Sequence, residues 1–347
     1  MTRRIMITGL AGYWGTRLAL RLEQDPRYEL ILGVDTQVPT AGQFSRTEFL
    51  GLDVKSPMLL DVLTAQRIDT VVHLNIVHSR DKERMLDNNV LGTRHVLAAC
   101  AEVGVKKLIL KSSTGVYGAL ADNPNFLPES WPLRGRPYHP YFRSYVEVEK
   151  YASEFLGRHP DLKLSILRFA SILGPTADTA LSRYLRDRMV PTILGFDPLY
   201  QVTHEEDVLG AFCRAVETDF HGPVNIAADG VLYLHRIIRM AGRTPLPIVT
   251  GLSFPILNTL ASLPLMPLPP IEIDYLRYLW VADTAKMREE FGFHPRFSAE
   301  ETVKDFATAR RVQRFAGQDD SSELGEYASS VLRDILEDPE EDELHAP

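Results

Sequence analysis

Three glycines at a spacing of three, in the run Thr8-Gly9-Leu10-Ala11-Gly12-Tyr13-Trp14-Gly15, offer the first chemistry. The run follows an apolar stretch and opens an amphipathic one, the strand–turn–helix context in which such a turn holds phosphates. Gly9 permits the tight turn, Gly12 lets a pyrophosphate approach the backbone, and Gly15 allows the helix to pack on the strand. A helix beginning there adds unpaired N–H groups and the positive end of its dipole. Further on, Leu30-Ile-Leu-Gly-Val-Asp35 ends in a carboxylate that can accept both hydroxyls of an adenosine ribose and repel a 2′-phosphate. Thr36 and Gln37 follow, with no arginine to neutralise a phosphate, so the pattern predicts NAD rather than NADP. Asp53, closing a third such run, is placed either to meet the adenine or to serve as a turn residue before Ser56-Pro57.

To these motifs the chain adds Asp87-Asn88-Asn89-Val90-Leu91-Gly92-Thr93 and then Ser112-Ser113-Thr114-Gly115-Val116-Tyr117-Gly118. Together they resemble the NAD-dependent epimerase/dehydratase branch of the extended short-chain dehydrogenase/reductases, over residues 3 to 310. The resemblance implies that Ser113, four residues before the tyrosine of Val-Tyr-Gly, hydrogen-bonds the reacting oxygen. A competing reading makes Ser113 a strand terminator that satisfies backbone groups. The resemblance also implies that Asn89 supports an active-site water network. It names Gly9, Ala11, Gly12, Tyr13, Trp14, Gly15, Asp35, Asp53, Val54, Leu74, Asn75 and Tyr141 as the residues around NAD.

The family needs Tyr-x-x-x-Lys on the next helix, because that spacing puts both side chains on one face, where the ammonium lowers the phenol's pKa and holds the nicotinamide ribose. Here the stretch reads Tyr141-Phe-Arg-Ser-Tyr145-Val-Glu-Val-Glu149-Lys150. Tyr141 falls at the acid/base position and Tyr145 where the lysine belongs; no Tyr-x-x-x-Lys occurs anywhere in the 347 residues. An unassisted phenol titrates near about 10, a proton donor but a poor base at neutral pH. Lys150 lies on the opposite side of a 3.6-residue helix from Tyr141, and neither Arg143 nor Lys111 sits at the required offset. The chain therefore reads as a divergent enzyme that moves a hydride between nicotinamide and a carbinol or carbonyl carbon, or as an NAD-binding sensor or scaffold that has lost turnover.

On the substrate side, Leu167-Arg168-Phe169-Ala170-Ser171-Ile-Leu-Gly174-Pro175 puts Ser171 where the family has an asparagine near the nucleotide phosphate. Tyr200, in Leu199-Tyr-Gln-Val-Thr-His204-Glu-Glu-Asp207-Val208, replaces the arginine that grips a diphosphate. Losing a bidentate anion fork weakens the case for a sugar nucleotide. The run Thr244–Ile271, free of charged residues but holding seven prolines, opposes a membrane-spanning helix and fits an apolar cap or a lid over an uncharged substrate, as in steroid- or lipid-type hydroxy dehydrogenases.

The elements that must position these residues alternate as β and α, which predicts an α/β fold: a doubly wound parallel Rossmann sheet with a smaller C-terminal substrate lobe. Strands are expected at Arg4–Thr8, Leu30–Asp35, Glu48–Asp53, Thr70–Asn75, Lys107–Ser112 and Lys163–Phe169. Helices are expected near Tyr13–Gln24, Pro57–Ala65, Lys82–Val103 and Tyr141–His159. Beyond Gly174 come helices near Ala180–Arg188, Glu205–Glu217 and Leu232–Ala241 and a strand near Tyr200–Thr203. Residues 1–175 form the NAD-binding domain; 176–316 are mainly the substrate lobe, some segments of which can return to the sheet; 317–347 form an acidic tail with one short helix around Tyr327–Leu336.

Composition agrees with an ordinary globular protein, 45% hydrophobic and 24% charged. The formal charge of −8 is concentrated in the tail: Asp319–Pro347 holds eleven acids against Arg333, leaving 37 bases and 35 acids elsewhere. A near-neutral body gives no electrostatic reason for a nucleic-acid partner. Cys100 and Cys213 read as buried thiols in amphipathic helices. The ten histidines, His73 and His204 among them, show no metal-ligand spacing, so no metal is expected. The start of the chain runs directly into a strand, which predicts a cytoplasmic protein. The helices Lys82–Val103 and from Tyr141 onward resemble the pair through which extended family members form homodimers.

Overall fold

A computed structural model describes residues 3–76, 82–135, 140–248 and 273–315, with the side chain of Tyr141 outside the described set. Its frame is a seven-stranded sheet in which every pairing is parallel. The first six strands are β1 (Arg3–Thr8), β2 (Tyr28–Asp35), β3 (Thr47–Gly51), β4 (Thr70–His73), β5 (Lys107–Ser113) and β6 (Lys163–Phe169). Parallel strands covered on both faces need apolar residues on both, and Ile5, Met6 and Ile7 of β1 are accordingly buried in succession. Short strands follow: β7 (Ser171–Leu173), β8 (Met189–Ile193), β9 (Leu199–Tyr200) and β10 (Val202–His204). Then come β11 (Gly222–Ile226), β12 (Leu232–Tyr233) and β13 (Thr244–Ile248). The sheet runs β11-β6-β5-β4-β1-β2-β3.

Six strands are predicted and seven are present, because β11 returns from the second half of the chain to pair with β6. β3 stops at Gly51 and β4 at His73, two residues short of the expected ends at Asp53 and Asn75. The helices are α1 (Tyr13–Glu23), α2 (Met58–Ala65), α3 (Lys82–Val103), α4 (Pro140–Leu156), α5 (Ala180–Tyr184), α6 (Glu205–Glu217), α7 (Leu234–Met240), α8 (Ala285–Glu289) and α9 (Ala299–Phe315). One face of the sheet packs on α1 and α6 through Leu18, Leu22, Leu209 and Phe212. The other packs on α2, α3 and α4 through Leu59, Leu97, Val148 and Phe155. This is the expected Rossmann α/β sandwich.

A third core joins the turn after β5 to the C-terminal half, packing Tyr117 and Tyr145 with Tyr200, Trp280 and Phe306. Around it, β7 pairs with β10, β8 with β13 and β9 with β12. The uncharged run thus begins as strand β13; its remainder beyond Ile248, like the tail and the short helix expected in it, lies outside the described residues. Cys100 is buried in α3, whereas Cys213 in α6 is only partly so, which corrects that half of the expectation. Among the described residues no helix is long and apolar enough to cross a membrane.

Candidate active site

The glycine turn has the shape its spacing implies. Gly9 adopts φ +74°, and a Cβ there would meet the Asn75 nitrogen at 2.9 Å. A Cβ on Gly15 would lie 2.1 Å from the Gly9 carbonyl oxygen, so only glycine lets α1 descend this closely onto the turn. α1 is capped by the backbone of Gly12 with no side-chain hydrogen bond, leaving its first-turn N–H groups directed at the space above the turn. Asp35 closes β2 beside it: its carboxylate accepts from the Ala11 N–H at 3.0 Å and the Gln37 N–H at 3.1 Å. A cradle too narrow for a Cβ, an uncapped helix start and an adjacent carboxylate suit a dinucleotide.

The other residues assigned to the cofactor divide. Trp14 lines a cavity. The Tyr13 phenol is hydrogen-bonded to Thr176 at 2.7 Å and donates to Glu205 at 3.1 Å, and burial beside these groups pushes its pKa up. Leu74 and Val54 turn their side chains into opposite cores. Asp53 accepts from the Lys55 N–H at 2.8 Å, the turn role that competed with adenine contact.

The cavity, of 210 Å³, opens at the C-terminal ends of β5 and β6, where doubly wound sheets hold their ligands. Lys111, Ser112 and Ser113 of β5 line it, with Phe142 of α4, Ser171 of β7, the Asp178–Arg183 pair and Trp280. Ser113 takes the backbone role, its Oγ accepting from the Gly115 N–H at 3.1 Å to start a 3₁₀ turn, and it also lines the cavity.

Beneath Ser113, the Ser112 hydroxyl donates to Glu149 at 2.5 Å and Glu149 accepts from Arg168 at 2.6 Å, with side chains 1% and 5% exposed. Arg168 also donates to the Tyr117 hydroxyl at 2.7 Å. Burial pushes the Tyr117 phenol up to about 12, leaving it protonated. This tyrosine of the Val-Tyr-Gly motif is therefore a scaffold for β5 and β6.

Asn89 in α3 is fully buried and donates to the Ser144 hydroxyl of α4 at 3.1 Å, so it braces the helix that carries Tyr141 and Tyr145. From Asn89 a chain runs through Thr93 to His73 and on to Thr8, with His73 bonded to both threonines. Burial lowers the His73 pKa to about 4, so the imidazole is neutral. His204 caps α6, accepting from the Glu206 N–H and pairing with Asp305 at 3.0 Å. Among the described residues no group of His, Cys, Asp and Glu could hold a metal.

Two positions change the sequence reading. Tyr200 is buried, donates to the Tyr275 carbonyl at 2.8 Å and packs edge-on against Trp280, so the place of the missing arginine belongs to the core. Lys111, set aside for its offset, donates from Nζ to the Tyr145 hydroxyl at 3.1 Å. A long-range hydrogen bond between a strand and a helix is invisible to spacing along one helix. The available signal was a lysine two residues before Ser113, on the same strand face.

Residues 5–227 match the NAD dependent epimerase/dehydratase family, and the chain belongs to it. "Uncharacterized protein Rv0501" of Mycobacterium tuberculosis is 34% identical over 316 residues, covering 88% of this chain and 84% of that one. A UDP-glucose 4-epimerase from Thermotoga maritima, solved with UDP-glucose, has a TM-score of 0.68 at 22% identity, covering 89% of this chain and 99% of its own. MoeE5, in complex with UDP-glucuronic acid and NAD, has a TM-score of 0.69 at 23% identity over the same shares. These two show the fold. Membership of an NAD-dependent family agrees with the cofactor read from the glycine turn and Asp35.

Proposed function

We propose that the chain is an NAD-dependent oxidoreductase of epimerase/dehydratase type, acting by hydride transfer on a carbinol or carbonyl of a small, sugar-like substrate. The observation that carries this reading is one cavity, bordered at Trp14 by the glycine turn and at Ser113 by the end of β5. The first turn of α1 would hold the pyrophosphate and Asp35 the adenosine ribose, with Asn75 and the backbone of Val54 and Leu74 at the rim. When bound, NAD supplies the hydride acceptor and donor. Ser113 polarises the reacting oxygen by a hydrogen bond, Tyr141 exchanges its proton, and Asn89 fixes α4.

The sugar-like class is supported by the relatives and by the lining: the aromatic rings of Trp14, Phe142 and Trp280 offer faces to a ring, and Ser113, Ser171 and Thr179 offer hydroxyls to its edges. A cytoplasmic homodimer packed through α3 and α4 completes the reading, with a solution mass measurement as its check.

The test is NADH formation, or tightly bound NADH, across UDP- and dTDP-sugars, free sugars and hydrophobic alcohols. Turnover on a sugar that Ser113→Ala lowers about 10²-fold is the expected result. Turnover confined to hydrophobic alcohols would favour a steroid- or lipid-type dehydrogenase. NAD binding with no turnover on any substrate would favour a sensor or scaffold, the reading suggested by Tyr145 in the lysine position.

A further inference from the structure

Strand β5 is buried and apolar from Leu108 to Leu110 and then presents Lys111 to the cavity. Alternation along the strand puts Lys111 and Ser113 on one face. The ammonium donates to the Tyr145 hydroxyl at 3.1 Å and stands 5.6 Å from the centre of its ring. Tyr145 itself is 1% exposed, in the core behind the cavity wall. Two charged pairs near the cavity satisfy each other: Asp178 with Arg183 at 2.6 Å in its lining, and Glu149 of α4 with Arg168 of β6 at 2.6 Å. Lys111 is met instead by the Tyr145 hydroxyl. A half-buried ammonium anchored by one hydroxyl gains little stability, since a hydrogen bond offsets only part of its desolvation. What the arrangement does is fix a positive charge beside Ser113.

We propose that Lys111 supplies the active-site cation from the sheet, and that Tyr145 is the positioning residue that holds its ammonium at the cavity wall. The inference rests on the hydride-transfer reading above. It explains how a chain with tyrosine in the helical lysine position keeps a cation beside the stretch of α4 that carries position 141, one helical turn before Tyr145: the charge has moved to β5, and the residue left in its old place has become its acceptor. An ammonium a few ångströms from a phenol favours the phenolate electrostatically, whichever element carries it.

Four proteins test this: the parent, Lys111→Met, Tyr145→Phe, and the double variant Lys111→Met/Tyr145→Lys, which returns the charge to the helix. The first readout needs no substrate. Spectroscopic titration of the tyrosines with NAD present is expected to show the earliest phenol step moving up by about one pH unit or more in Lys111→Met, and moving back in the double variant. With a substrate in hand, kcat should fall about 10²-fold in Lys111→Met with KM little changed, and the basic limb of the pH profile should move up. Tyr145→Phe should show the same direction at smaller size, and the double variant should recover at least tenfold. Calorimetry with NAD on each variant reports whether the fold and the cofactor site survive.

An unmoved tyrosine titration in Lys111→Met, or a double variant no better than Lys111→Met while both bind NAD, would overturn the proposal. A Tyr145→Phe variant identical to the parent would overturn the positioning role. If the parent binds NAD but turns over nothing, the proposed function fails while the titration still decides the role of Lys111.

Discussion

The Asp35 carboxylate accepts a hydrogen bond from the Ala11 N–H at 3.0 Å, so the end of β2 and the glycine turn are tied together by the group that would also hold a ribose. Asp35→Asn keeps an acceptor for Ala11 but removes the charge. NAD affinity is expected to fall roughly 10- to 100-fold, the loss of charge-assisted hydrogen bonds, while NADP binding improves relative to NAD. Calorimetry with both dinucleotides checks this; unchanged NAD affinity would remove Asp35 from the site.

Gly15→Ala places a methyl group 2.1 Å from a backbone oxygen, and backbone does not yield as a flexible side chain would. α1 must lift from the turn. The variant should lose about 1–3 kcal/mol of stability and most of the NAD-induced rise in Tm. A Tm rise on adding NAD equal to that of the parent would show that the turn tolerates the displacement.

Glu149→Gln breaks an ion pair whose two side chains are almost fully buried, leaving the Arg168 charge uncompensated. A loss of about 3–5 kcal/mol is expected in urea unfolding. The exposed pair Arg143–Glu147, at 2.8 Å on α4, is the control: Glu147→Gln should cost less than about 0.5 kcal/mol.

His73 makes stability depend on pH. Folded, its pKa is lowered by burial to about 4; unfolded, it returns to the ordinary 6.5. The unfolded chain therefore takes up the proton first as pH falls. The contribution is fully present above 6.5, declines as pH drops through the window from 6.5 to about 4, and changes no further below it. Between pH 7 and pH 5 the loss should be about 2 kcal/mol. Urea midpoints of the parent and His73→Asn across that range should converge toward acid; parallel curves would refute the assignment.

Much of this was legible beforehand. Helix Lys82–Val103 and strand Lys163–Phe169 appear with the boundaries predicted, because long periodic segments between turn residues leave few alternatives. The glycine turn and Asp35 were legible because their spacing is set by the ligand geometry they serve. β11 was not: Gly-Pro-Val-Asn-Ile is short and contains Pro223, which a sheet tolerates only at an edge, the place β11 occupies. The Lys111–Tyr145 contact was hidden for a different reason. It joins residues 34 apart, and only the packing of α4 on β5 brings them together.

That seventh strand also decides how the molecule can be divided. The chain leaves the sheet after β6, builds the wall that carries Ser171 and Arg183, and comes back to seal the open edge of β6 with residues 222–226. A fragment ending near position 175 would carry the whole dinucleotide turn and still expose a naked row of backbone groups, an invitation to self-association. The part that would grip the coenzyme is thus finished only by chain that has already lined the cavity, so a cut between the two would leave the edge of β6 open.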